Sequence, residues 1–373
     1  MKSFYSLQKK LENFSDQEMI ALIDFSNLQA GWGWNQTLEI EGQKVFVKGI
    51  PLTAREMENP TSTANLFQLP EYYHYGVGSA GFGARRELLA HLKTSTMAET
   101  GVCENFPLLY HYRQVPRHPE AGKQTQSKPD AYFSYWAQNQ AIQEYVKARE
   151  QAPAELLLFI EYFPHCLHQW LSAHQEKTPM FLTQMETACH HLKTQGLLHM
   201  DAHFKNIMTD GERFVLTDFG MLLDQAYELD SVEQQFMQRH RDYDSHQILL
   251  SLGLEAYQTF LRLEQNQKIR LQQKLNPFSE TEKTEAAWFL ENISDPELQA
   301  ICGIVPFLAE VLGTHQAKLL AFLSFFSDLR ADPNKQARYD NYLKAAPGSP
   351  LTKSISGRKI DVGTQKHLFR TDS

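Results

Sequence analysis

The 373-residue chain carries 36 lysines and arginines against 44 acidic residues, a formal charge of −8, so no global positive field draws it to nucleic acid or to an anionic membrane. Its length exceeds one average domain and implies two lobes around a sizeable core. The cysteines, Cys103, Cys166, Cys189 and Cys302, are scattered without a CxxC pair, which fits a reducing compartment and argues against a structural zinc site.

Residues 1–16 lack a continuous apolar run, and nowhere is there a span of about 18 uninterrupted apolar residues, so the expectation is a cytoplasmic protein with neither signal peptide nor membrane span. Export that needs no N-terminal signal would leave no mark in the sequence. Ser15-Asp16-Gln17-Glu18 has the pattern of a capping box ahead of Met19, Ile20, Leu22 and Ile23, and predicts a short helix. Two β-prone runs, 37–40 and 44–50, flank Glu41-Gly42-Gln43, where Gly42 supplies the positive φ of a tight hairpin. Gly76, Gly78, Gly81 and Gly83 then form a glycine-rich stretch feeding a helix with Leu88, Leu89 and Leu92 on one face. A strand is expected over 106–115, a mobile loop over 116–130, where Pro116, Pro119 and Pro129 stand, and an exposed helix over 135–151. The unbroken apolar run 156–160 reads as a central strand buried on both faces. From Phe163 onward the pattern turns helical, with stretches near 180–195, 244–274, 280–292 and 297–327 and only short β-like pieces around Ile207 and 214–217. Beyond Pro350 no apolar periodicity remains, which predicts a flexible basic tail.

The chemistry concentrates in His199-Met200-Asp201-Ala202-His203-Phe204-Lys205-Asn206 and Asp218-Phe219-Gly220. Phosphoryl transfer needs a carboxylate to orient the attacking hydroxyl or accept its proton, and an amide oxygen with a second carboxylate to hold Mg²⁺ against nucleotide phosphates. Asp201, Asn206 and Asp218 fit those three roles in that order. His199 and His203, with His190 and His191 nearby, also invite a zinc reading, but the glutamate expected beside the first histidine of an HExxH motif is absent.

These residues resemble the protein-kinase-like superfamily. The HxDxHxxN loop is similar to that of aminoglycoside and choline phosphotransferases, whereas Asp-Phe-Gly is the protein-kinase form of the metal motif. The resemblance implies an α+β, protein-kinase-like bilobal fold: a small β-rich N-lobe over 1–162 with an insertion near 113–151, a mainly helical C-lobe over 163–346, and a basic tail over 347–373. It implies ATP and Mg²⁺ as cofactors. Lys48, closing Val45-Phe46-Val47-Lys48, would pair with the α- and β-phosphates and be held by Glu87. Backbone groups from Glu161 to Phe163 would read the adenine edge. Asn206 and Asp218 would hold the metal, Asp201 would serve the acceptor hydroxyl, and His203 would contact the transferred phosphoryl or play a structural part. Gly31 and Gly33, with two glycines where GxGxxG has three, read either as a phosphate-covering loop or as an ordinary turn; Gly76–Gly83 is the alternative approach to the phosphates.

His240-Arg241-Asp242 spells the kinase tripeptide but is followed by Gln247 in place of the asparagine and by no Asp-Phe-Gly, so it is not a second catalytic loop. Asp242 or Asp244 is instead the candidate for a helix aspartate bracing the first. Met200 stands where many protein kinases have the arginine that binds a phosphorylated activation loop, which predicts no activation by phosphorylation between 221 and 240. The missing Ala-Pro-Glu platform favours a small-molecule acceptor; Asp-Phe-Gly and the 113–151 insertion favour a protein one. An atypical Ser/Thr protein kinase leads, with a small-molecule hydroxyl kinase and a nucleotide-binding pseudokinase as alternatives, and an unidentified activator stays open.

Overall fold

The computed structural model describes residues 2–124, 130–275 and 284–345. Two helices, α1 (Lys2–Asn13) and α2 (Asp16–Ala21), precede the sheet, and the Ser15–Glu18 capping box opens α2 as the sequence predicts. Strands β1 (Gln29–Ala30), β2 (Trp34–Ile40) and β3 (Gln43–Leu52) follow, the last two joined through Glu41 and Gly42, both at positive φ. Helices α3 (Ala54–Glu58) and α4 (Ala84–Glu99) lead to β4 (Leu109–Pro116), and β5 (Ala154–Glu161) closes the sheet. The spatial order is β1-β2-β3-β5-β4, with neighbours antiparallel.

The period of two along a strand explains why both faces of this sheet are covered. Val45, Val47, Leu157 and Phe159 pack against Phe4, Leu7 and Leu11 of α1 and Met19 of α2. Ile50, Leu52, Leu156, Leu158 and Ile160 face the other way, against Ala84 and Leu88 of α4. The unbroken apolar run of β5 therefore marks a strand with a layer on each side, as expected.

Between β4 and β5 lie α5 (Pro119–Gln124), α6 (Asp130–Tyr135) and α7 (Gln140–Glu150). The loop expected over 116–130 thus contains a helical turn, while residues 125–129 lie outside the described part. The exposed helix expected over 135–151 is corrected twice. Ala137 and Gln138 at positive φ break it before the Asn139 cap, and Trp136, Ile142, Tyr145, Val146 and Arg149 are buried. An aromatic cluster drives that burial: Trp136 lies edge-on to Tyr73 at 4.8 Å, and Tyr145 packs on Phe67 at 4.9 Å.

The remainder is mainly helical. Short strands β6 (His165–Cys166), β7 (Leu197–Leu198), β8 (Ile207–Thr209), β9 (Phe214–Leu216) and β10 (Leu223–Asp224) frame the loop around Asp201, among helices α8 (Leu167–Ala173), α9 (Thr178–Thr194), α10 (Ser231–Arg239) and α11 (Tyr243–Leu261). Helices α12 (Gln265–Lys274), α13 (Glu285–Glu291), α14 (Pro296–Cys302), α15 (Pro306–Thr314), α16 (Gln316–Ala331) and α17 (Tyr339–Ala345) complete it. The single stretch expected over 297–327 is three helices, because Gly303 ends one in the left-handed conformation and Pro306 opens the next. The fold is α+β, a small antiparallel sheet followed by a mainly helical remainder, as the sequence predicts.

By contacts the chain forms two compact units: residues up to Ile248 with Ser327–Arg338, and Leu249–Phe326 with the described residues from Tyr339 on. The second has its own core, in which Trp288, Phe289, Leu290 and Leu312 are fully buried. The expected basic tail lies outside the described residues. Among those described, no helix is long and apolar enough to cross a membrane.

Candidate active site

Strand parity places Lys48 on the face of β3 that α4 covers, with Phe46 and Ile50, and Glu87 immediately precedes Leu88 on α4. Lys48 Nζ lies 2.6 Å from Glu87 Oε1 and 2.7 Å from Asp218 Oδ1. Burial works against the ammonium, but Asp218 and Glu87 outweigh it and raise its pKa. For Asp218, half open to solvent, the same pairing overcomes burial and holds the carboxyl at about 2; Glu87 is buried, and desolvation raises its pKa.

The β8–β9 hairpin carries the other groups. Ile207 pairs with Leu216, and Thr217 N donates to Asn206 O at 2.8 Å, so Asn206 and Asp218 flank the same end of the hairpin. Asn206 Nδ2 donates to Asp201 Oδ2 at 2.8 Å and Asp201 O at 3.0 Å, which turns its amide oxygen away from that carboxylate. Asn206 and Asp218 thus offer the hard oxygen donors that a Mg²⁺ ion would take. Among the described residues no cluster of three or more His, Cys, Asp or Glu forms a cage of the zinc type.

Asp201 is raised in pKa chiefly by burial, and His203 Nε2 stands 3.5 Å from its Oδ1. His199 accepts from Asp201 N through Nδ1 at 3.2 Å, while Nε2 meets Thr217 O at 3.1 Å. The brace is Asp244, whose carboxylate accepts from His199 N and Met200 N, each at 2.8 Å, and these bonds hold Met200 at a φ of 65°. Burial pushes Asp244 up to about 6. Asp242 pairs with Lys193 at the surface instead. Gln247, one turn along from Asp244, accepts from Ala202 N at 2.7 Å; the residue that disqualified the decoy tripeptide supports the true loop.

Phe219 is fully buried edge-on to His199 at 5.4 Å, His91 at 4.7 Å and Phe106 at 6.3 Å. Helix α4 is fixed from several sides. Gly83 has no side chain to cap it, and Glu56, already in a capping box with Thr53, reaches across so that Ala84 N donates to its Oε1 at 2.7 Å. Arg86 donates to Glu233 of α10 at 2.7 and 3.1 Å, Tyr227 Oη donates to Arg86 O at 2.6 Å, and Lys93 pairs with Asp224 at 2.8 Å.

Gly31-Trp32-Gly33 is the turn from β1 to β2, at the Lys48 end of the sheet, where Trp34 pairs with Gly49. A Cβ on Gly33 would stand 2.1 Å from Gly49 O, so this turn lies directly on β3. Arg149 of the insertion donates to Trp32 O at 2.6 Å. Glu161 N is already bonded to Leu108 O, its carboxylate pairs with Arg213, and the buried Phe163 ring lies under that guanidinium at 4.8 Å. The Glu161 N–H is therefore already engaged within the sheet. Glu56, Arg86 and Gln247 were not anticipated; only the Thr53-x-x-Glu56 spacing signalled one of them.

No protein-family profile matches the chain, and no curated protein matches it. Among solved structures it is similar to WaaP in complex with acyl carrier protein, with 13% identity and a TM-score of 0.34 over 82% of this chain and 95% of that one. A likeness of that degree carries no argument about activity.

Proposed function

We propose that the protein transfers the γ-phosphate of Mg-ATP to a hydroxyl. The observation that carries this reading is Lys48, bridging Glu87 and Asp218 while Asp201 and Asn206 stand hydrogen-bonded at the end of the adjoining hairpin. Lys48 neutralises the α- and β-phosphates, and Glu87 keeps it there. Gly31 and Gly33 bring the β1–β2 turn over the phosphates, and the backbone from Glu161 to Phe163 meets the adenine. Asn206 and Asp218 would hold Mg²⁺, which would supply charge neutralisation to the phosphates. Asp201 orients the acceptor hydroxyl and takes its proton, and His203 lies close enough to pass that proton outward. The fixed α4 supports a site assembled without an activator. A Ser/Thr side chain is the acceptor that the Asp-Phe-Gly motif and the insertion favour; a small hydroxyl compound is favoured by the HxDxHxxN loop.

The test is turnover of γ-labelled ATP with Mg²⁺ by wild type and Asp218→Ala. Transfer lost in the variant supports a phosphotransferase; ATP bound without any Asp218-dependent turnover overturns it in favour of a nucleotide-binding module.

A further inference from the structure

The glycine-rich segment between α3 and α4 runs directly past the carboxylate of Asp201. Tyr75 fixes its start, buried, with its Oη 3.0 Å from His240 Nε2. Gly76 follows at a φ of 75°, so close that a Cβ there would stand 2.9 Å from Asp201 Oδ1 and 3.4 Å from Met200 O. Its far side is equally tied. Ala80 N donates to Tyr73 Oη at 2.8 Å, Ser79 Oγ donates to Met221 Sδ at 3.2 Å, and Phe82 N donates to Gly220 O at 3.2 Å. A Cβ on Gly81 would stand 2.5 Å from Gly220 O. Between these anchors Val77 is half-buried and Gly78 exposed, and Gly78 N closes a tight turn on Gly76 O at 2.6 Å.

The carboxylate of Asp201 is consequently crowded on three sides. Asn206 holds Oδ2, His203 stands by Oδ1, and Gly76 lies against Oδ1 from the segment; its side chain is 18% exposed. An acceptor oxygen must come to about 2.6–3.2 Å from a base that takes its proton. A serine or threonine hydroxyl sits on a one-carbon stalk, so its main chain, continuing in both directions, must pass close by the carboxylate that the turn crowds. A primary hydroxyl at the end of a slender molecule meets no such obstruction.

We propose, on the phosphotransferase reading above, that the Gly76–Gly78 turn is the acceptor-side wall of the site and restricts it to a compact hydroxyl compound, such as a sugar, a polyol or an amino alcohol, rather than an extended peptide. The wall is a fixed part of the fold, bonded at both flanks, and Val77 is the residue that meets the acceptor.

The experiment offers γ-labelled Mg-ATP and the full chain to the low-mass and protein fractions of a cell extract in separate reactions, beside Asp218→Ala. Label entering the low-mass fraction and lost in the variant is expected. Asp218-dependent label on protein, the enzyme included, overturns the wall but leaves the phosphotransferase standing. Asp218-independent behaviour throughout overturns the reading beneath both. With the labelled compound purified, Val77→Trp should raise its KM roughly tenfold, the order reached by one misfitting group in a pocket, with the KM for ATP unmoved. Equal KM values for that compound in wild type and variant overturn the assignment of Val77.

Discussion

Removing the carboxylate of Glu233 isolates one of the ties on α4. Glu233 and Arg86 are both buried, the guanidinium also donates to Thr63 O at 2.7 Å, and the His74 ring lies 3.5 Å away. Burial alone would raise the Glu233 pKa, but the His74 and Arg86 side chains bring it from 4.5 down to about 2, a differential worth about 3 kcal/mol. A depressed folded-state pKa means that this stability is present above the unfolded value near 4.5 and is lost as pH falls toward 2. Glu233→Leu leaves Arg86 charged and unpaired in the interior, and about 3–5 kcal/mol should be lost in urea unfolding at neutral pH. ATP turnover should fall with it, since α4 carries Glu87. The double variant Arg86→Met/Glu233→Leu removes both charges and should recover to within about 1–2 kcal/mol of wild type, the residue of the loss being the α10 capping box in which Glu233 takes part. A single variant costing under about 1 kcal/mol, or a double variant no better than the single, refutes the view that this ion pair holds the helix.

Gly76→Ala forces a Cβ onto Asp201 and strains a left-handed residue, and kcat should drop about 100-fold with nucleotide binding retained; an unaffected kcat would show that the segment stands clear of the base. Tyr227 and Ser231 are the hydroxyl residues between 221 and 240, and Tyr227 is buried on Arg86 O, so Tyr227→Phe/Ser231→Ala should lose about 1 kcal/mol of stability and keep its turnover. A large loss of activity there would restore an activation-loop mechanism. Turnover should decline as pH falls through about 6, where Asp244 protonates and ceases to hold both backbone N–H groups. Its raised pKa favours the fold at low pH and loses that contribution as pH rises through 6, so stability and activity move oppositely; an acid limb at about 4, where burial places His199, would contradict this.

The sheet was legible because its signals are local or periodic: the Glu41-Gly42 turn sets the hairpin, and alternation along β3 assigns Lys48 to one face. The spacing from Asp201 to Asn206 and on to Asp218 likewise named residues that the hairpin brings together. The insertion misled because its apolar groups are aromatic and spaced for packing on Phe67 and Tyr73, which no helical period discloses. Arg86 and Glu233, 147 positions apart, are ordinary surface residue types until the chain is folded. Gln247 was read against the wrong template: a missing asparagine in one motif was a support for another.

Glu56 closes a loop with a single side chain. One carboxylate oxygen accepts from Thr53 N and Oγ1 and the other from Ala84 N, so the stretch from 59 to 83 begins and ends at the same buried group. The entropy of bringing those ends together is set against bonds outside the stretch, and it grows only slowly with length. An insertion at the exposed residues 59–61 should therefore cost little, while α4 starts at the same point and Glu87 stays in register with Lys48.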